Sequence, residues 1–259
     1  KIPLFFKEKI ETKLNEIFET QVKLNSGGCL VINPTAALVS MDVETGELLA
    51  MIGSKDYFND EIDGQVNVAL AERQPGSSMK PLAYLAAFDK GYRPDTIIFD
   101  LETNFAAVGD DYKPKNYDLE ERGPVSMRKA LAGSLNIPAV KTLYLAGVHN
   151  TVDLANRFGY STLTDPDRYG LSLVLGGGEV KLLEHVSAYA TFAREGIYKE
   201  PTAILEIKDS EGEVIEKNDN NKGRRVLEKE SVRILNDVLS DNGARAYVFG
   251  EINPLTLPD

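Results

Sequence analysis

The chain has 259 residues, enough for one large α/β domain with a small appendage and a sizeable core. Its net charge of −11 argues against nucleic-acid binding, which needs clustered Lys and Arg to neutralise phosphates. One cysteine, Cys29, excludes an internal disulfide, and Cys29 with His149 and His185 cannot furnish a zinc cage, so no metal or other cofactor is expected.

No apolar run reaches the length of a transmembrane helix, and no secretory leader pattern is present. The chain begins at Lys1 without methionine and reads as an excised or processed piece. Leu4, Phe5, Ile10, Leu14, Ile17 and Phe18 recur near helical spacing, which predicts a helix over 3–24. Asn25-Ser26-Gly27-Gly28 then reads as a connector. The division expected is an N-terminal helix and connector over 1–35, followed by the domain proper over 36–259.

Two apolar segments, 36–42 and 47–53, flank Val43-Glu44-Thr45-Gly46 and predict a β-hairpin with glycine at the turn. A helix is predicted over 77–90, opening at Ser77, with Leu82, Leu85, Ala86 and Phe88 as its apolar face. Pro81 falls in its first turn or just after it, where a missing amide costs little. Residues 91–124, rich in Asp, Gly, Pro and Tyr, read as a long irregular excursion.

Helices follow at 126–134, 138–146 and 150–158. Gly176-Gly177-Gly178 reads as a hinge into a helix running to about Glu195. A second hairpin pairs 203–208 with 213–216, a charged loop covers 218–225, and a final helix over 228–240 stops at Asn242-Gly243. Helices layered on hairpin-built sheet give an α/β (α+β) fold with antiparallel pairing. Both histidines sit in helical stretches and are assigned structural roles.

The chemistry concentrates in two places. Ser77 lies three residues before Lys80 in Gln74-Pro75-Gly76-Ser77-Ser78-Met79-Lys80-Pro81, so the two side chains share one helix face. A serine hydroxyl needs a neighbouring base, and a buried lysine becomes one because desolvation lowers its pKa. A helix start at Ser77 would also aim the dipole at a developing oxyanion.

About fifty residues on, Ser134 and Asn136 stand in Gly133-Ser134-Leu135-Asn136-Ile137-Pro138. Pro138 favours an extended chain before it, and an extended i, i+2 pair points both side chains one way. Ser134 could relay a proton while Asn136 holds a substrate amide; the plain alternative is a helix C-cap with local hydrogen bonds. A second Ser-x-x-Lys, Ser126-Met127-Arg128-Lys129, reads as an N-cap before a helix. Tyr57-Phe58-Asn59 has a Tyr-x-Asn form but precedes the nucleophile, and is read as hairpin-end structure.

These motifs, with 37–47 and Leu175-Gly176-Gly177-Gly178-Glu179-Val180, resemble the transpeptidase domain of class A penicillin-binding proteins from about Ala36 onward. The resemblance implies the β-lactamase/transpeptidase-like fold, an antiparallel sheet flanked by helices plus an all-helical region. It implies Ser77 as nucleophile, Lys80 as base, Ser134 as proton relay and Asn136 as substrate-amide anchor. The implied partners are peptidoglycan stem peptides, with a D-Ala-D-Ala donor and an amine acceptor, and β-lactams, on the extracytoplasmic face of the membrane. Membrane association would come only through upstream regions that this chain lacks.

The family's third motif, Lys-Thr/Ser-Gly on an edge strand, is absent, and the resemblance places that strand about where the chain stops. The domain is therefore expected to be truncated at its C-terminus, to acylate little by itself, and to carry an exposed, aggregation-prone edge. A D-Ala-D-Ala carboxypeptidase is chemically close. A β-lactamase would share Ser77, Lys80 and Ser134, but no Glu-x-x-Leu-Asn deacylation motif follows. A non-catalytic binding module stays open because the third motif is missing.

Overall fold

The computed structural model describes residues 37–106, 111–218 and 222–253, together with the backbone of two short strands, β1 (Gln21–Lys23) and β2 (Cys29–Val31). The helix expected over 3–24 lies mostly outside the described residues. Its last part is corrected, because Gln21–Lys23 pairs antiparallel with Cys29–Val31.

The first predicted hairpin forms as β3 (Leu38–Met41) and β4 (Leu48–Ile52), with Gly46 at φ +81° in the turn. A two-residue strand, β5 (Glu72–Arg73), leads into a 3-10 turn, Gly76–Met79, and then helix α1 (Lys80–Asp89). The α-helix starts three residues later than expected, and the reason is Pro81. It has no amide hydrogen to give the Ser77 carbonyl, so Lys80 makes the tighter i→i−3 bond to Ser77 instead.

All nine residues from Lys80 to Phe88 are buried, so α1 is a core helix with no solvent face. Around it pack α2 (Met127–Ala132), α3 (Asn136–Ala146), α4 (Val148–Arg157) and, from the far end of the chain, α7 (Lys229–Ser240). Leu82, Leu85, Met127, Leu143, Leu154, Phe158 and Leu235 form the centre of this core.

The excursion over 91–124 is more ordered than its composition predicts. It is framed by β6 (Ile97–Asp100) and β7 (Gly123–Ser126), an antiparallel pair with Ile97 opposite Ser126 and Asp100 opposite Gly123. A short helix α5 (Pro166–Tyr169) and a 3-10 turn (Gly170–Leu175) precede the glycine segment. Then β8 (Val180–Lys181) pairs with β5 and leads into α6 (Leu182–Ala193). This pairing places the run before Ser77 beside the run before α6.

Strand β9 (Ile197–Tyr198), hairpin β10 (Glu206–Lys208) and β11 (Val214–Lys217), and β12 (Arg224–Arg225) complete the sheet structure. Among the described residues the strands pair as six two-stranded antiparallel ladders. The layered helix-and-antiparallel-strand class is the one expected. Asn242-Gly243 does not end the chain's helical part: Asp241 accepts from the Ala244 amide and starts α8 (Asn242–Phe249). No described helix is long and apolar enough to cross a membrane.

Candidate active site

Ser77 is exposed on the 3-10 turn, and among the described residues its hydroxyl has no hydrogen-bond partner. Gly76 at φ +59° makes the turn into it, a conformation costly to any residue with a Cβ. Lys80 opens α1 and is 1% exposed. Residues three apart in a 3-10 turn eclipse, which puts Ser77 and Lys80 on the same side of this turn.

The lysine ammonium meets three acceptors from the second motif. Its Nζ donates to the Ser134 carbonyl (2.6 Å), Ser134 Oγ (3.1 Å) and Asn136 Oδ1 (2.7 Å). With no carboxylate paired to it among the described residues, burial pushes the Lys80 pKa down from 10.5 to about 8. Three of the four sequence-predicted residues thus form one hydrogen-bonded cluster, and the fourth stands one turn of chain away.

The second motif reaches Lys80 by a different backbone from the one expected. Ser134 is at φ +53° rather than extended, and the Ser134 and Leu135 amides bond back to Leu131 and Ala130. This is a Schellman cap closing α2, with serine where glycine is usual. Leu135 is extended, and Asn136 is already the first residue of α3. Pro138 therefore sits within the first helical turn, where it needs no amide partner, and does not force an extended chain. The helix cap offered as the plain alternative is what the backbone forms, and the same cap turns Ser134 toward Lys80.

Asn136 is fixed at both ends, its Oδ1 by Lys80 and its Nδ2 by donation to the Lys115 carbonyl (2.8 Å). Beneath it lies Asn116, which sequence reasoning missed. Its Oδ1 accepts from the Asn136 amide (2.8 Å) and the Ile137 amide (3.3 Å), satisfying the start of α3 from twenty residues upstream. Its Nδ2 donates to both oxygens of the buried Asp100 (2.8 and 2.9 Å) and to the Glu120 carbonyl (2.8 Å). A loop rich in Asp and Asn carries no local signal of which one turns inward.

The glycine segment is a close approach rather than a hinge. Gly176, at φ +91°, leaves so little room that an added Cβ would stand 2.3 Å from the Gly76 nitrogen. The segment is thus a wall against the turn that carries Ser77. A polar cleft of about 150 Å³ opens at the foot of that turn, lined among others by Glu72, Gln74, Arg168 and Glu179.

The other candidates take structural roles. Ser126 caps α2 by accepting from the Lys129 amide (3.3 Å), and Asn59 caps a 3-10 turn at Asp60–Ile62. His149 is exposed against Asp167, while His185 contacts Ser78, the neighbour of Ser77.

The chain belongs to the penicillin-binding protein transpeptidase family, whose domain model matches residues 36–247. It is 37% identical to penicillin-binding protein 1A of Aquifex aeolicus, over 83% of this chain and 30% of that protein. It is 34% identical to penicillin-binding protein 2D of Bacillus subtilis, over 86% of this chain and 31% of that protein. The chain therefore spans about a third of the length of these curated relatives.

Among solved structures it resembles penicillin-binding protein 1A of Haemophilus influenzae, with a TM-score of 0.70 and 25% identity over 86% of this chain and 37% of that one. The fold also matches PonA1 of Mycobacterium tuberculosis, with a TM-score of 0.73 and 23% identity over 89% and 59%. PonA1 has also been solved in complex with penicillin V. A separate match to the Ribonuclease E/G family is confined to residues 1–69, less than half of the chain, and does not assign membership.

Proposed function

We propose that the chain is the acyl-transfer module of a peptidoglycan D,D-transpeptidase, acting through Ser77 on the extracytoplasmic face of the membrane. The reading is carried by one observation: a buried, carboxylate-free lysine is hydrogen-bonded to Ser134 and Asn136, one 3-10 turn from an exposed serine. The family match beginning at residue 36 supports the division into 1–35 and 36–259.

Proton accounting gives the residues their roles. An ammonium has three hydrogens, which matches the three acceptors around Lys80. A neutral amine has two and a lone pair, and only Ser134 Oγ among its partners can reverse and donate. Neutral Lys80 therefore keeps its bonds to the Ser134 carbonyl and Asn136 Oδ1 and turns its lone pair toward a hydroxyl.

Ser77 Oγ attacks the carbonyl of the penultimate D-Ala while Lys80 takes its proton. As the C–N bond breaks, Ser134 passes a proton from the ammonium to the departing D-Ala nitrogen. An amine of a second stem peptide then attacks the Ser77 ester and restores the hydroxyl. Asn136, with one Nδ2 hydrogen on Lys115, directs the other at the donor's amide carbonyl. β-Lactams, which present the same kind of carbonyl, would be held as the Ser77 ester.

Incubation with a fluorescent penicillin tests this. Labelling of the wild type is expected to vanish in Ser77→Ala. Hydrolysis that frees the enzyme within seconds would favour a β-lactamase, and no label on a folded sample would favour a binding module.

A further inference from the structure

The nucleophile-bearing turn lacks a side-chain cap of its own, since Pro75 at its head supplies none. Ser78, the residue next to the nucleophile, closes it instead by donating its hydroxyl proton to the Pro75 carbonyl at 2.6 Å. Helix α6 then grips Ser78 at two points. His185 Nε2 lies 2.9 Å from Ser78 Oγ, and the Tyr189 hydroxyl donates to the Ser78 carbonyl at 2.8 Å. His185 and Tyr189 are four residues apart, on one face of the helix. Behind them the Tyr160 hydroxyl lies 2.7 Å from His185 Nδ1.

A serine 2.9 Å from an imidazole has the outward form of a nucleophile with its base. The protons exclude that reading. The Pro75 carbonyl can only accept, so the single hydroxyl proton of Ser78 is committed to it. Nε2 must then carry the ring proton and donate to Ser78 Oγ, which leaves Nδ1 to accept from Tyr160. Every hydrogen in the chain Tyr160–His185–Ser78–Pro75 runs one way. The ring stays neutral because burial pushes the His185 pKa down to about 4. It is wedged between Tyr160 and Tyr189, with ring centres 5.9 and 5.1 Å away, and Tyr189 abuts Phe192 in the core.

We propose that His185 is a positioning residue for acylation: by donating Nε2–H to Ser78 it fixes the turn that aims the Ser77 hydroxyl. The inference rests on the Ser77 acyl-transfer reading for its consequence, but its geometry can be tested without it. Misplacement of a reacting group by about 1 Å costs on the order of a hundredfold in rate. No other side chain restrains the Ser78 hydroxyl among the described residues.

The test compares His185→Leu, which keeps an apolar side chain between Tyr160 and Tyr189, with His185→Gln, whose amide NH₂ can replace Nε2–H. With fluorescent penicillin, the first-order acylation constant should fall about 10- to 100-fold in His185→Leu and recover to within about threefold in His185→Gln. The pre-acylation dissociation constant should not move in either. Equal losses in both variants, or a loss confined to that dissociation constant, would overturn the proposal.

A second measurement does not need acylation. Nitrogen-15 NMR of the wild-type imidazole should show the proton on Nε2, and amide exchange over 76–80 should speed up in His185→Leu but not in His185→Gln. A proton on Nδ1, or unchanged exchange in both variants, would sink the positioning role. If the wild type takes no label while these signals hold, the transpeptidase reading fails and the clamp stands.

Discussion

Lys80 is the residue on which charge, burial and chemistry meet. With a folded-state pKa of about 8 against 10.5 unfolded, the folded chain binds fewer protons than the unfolded one between those values. Stability therefore rises as pH climbs through that window, and the full cost of burying the ammonium, about 3 kcal/mol, is present below pH 8. Acylation should follow the neutral amine: its rate should increase from pH 7 to 9 with an inflection near 8, measured by stopped-flow with a fluorescent penicillin. A flat profile would remove Lys80 as the base. The residue types of this cluster were legible in the sequence, because each motif is local: Ser77 and Lys80 lie within four residues after a glycine, and Ser134 and Asn136 within three. The left-handed backbone of Ser134 was not legible, since proline at 138 suits an extended approach and a first helical turn equally well.

At the scale of elements, the start of α3 gathers three buried polar side chains, Lys80, Asp100 and Asn116, into one network. Leu135, its N-cap, offers no side-chain oxygen, so Asn116 supplies one to two amides while holding Asp100. Asn116→Ala would strip partners from the Asn136 amide and from a buried carboxylate. The expected loss is about 1–3 kcal/mol in chemical denaturation, accompanied by slower labelling because Asn136 and Lys80 lose their reference point. A change within a few tenths of a kcal/mol would mean that Lys115 alone anchors the motif.

Elements with strong local patterns were readable: the hairpin around Gly46, the helix after Pro81, and the helices built on 126–158. Elements whose ends depend on distant partners were not. The α8 start at Asn242 looks like a stop signal, because Asp-Asn-Gly caps a helix as readily as it ends one. The ladder of β5 and β8 joins residues more than a hundred positions apart, and a two-residue strand has no period to read.

Across the whole molecule, the residues of the proposed site come from four stretches of chain that converge on α1. One carries Ser77 and Lys80, another Ser134 and Asn136, a third Asn116, and the last the α6 clamp. What sequence could establish at this scale was the layered class and the family; the packing that brings 116 and 185 to the site is set by tertiary contacts. The ion pairs of Arg128 with Asp237 and Asp241 bind α2 to the distal end of the chain, so the C-terminal helices belong to the same body.

Because α1 has no solvent face, its first residue cannot be released to water while its remaining turns stay packed. Antibiotic uptake should then serve as a gauge of global integrity. In a urea titration, the capacity to take label and the far-ultraviolet helical signal are expected to vanish with one midpoint. Loss of capacity at distinctly lower urea would reveal a catalytic layer that melts by itself, which a fully enclosed central helix forbids.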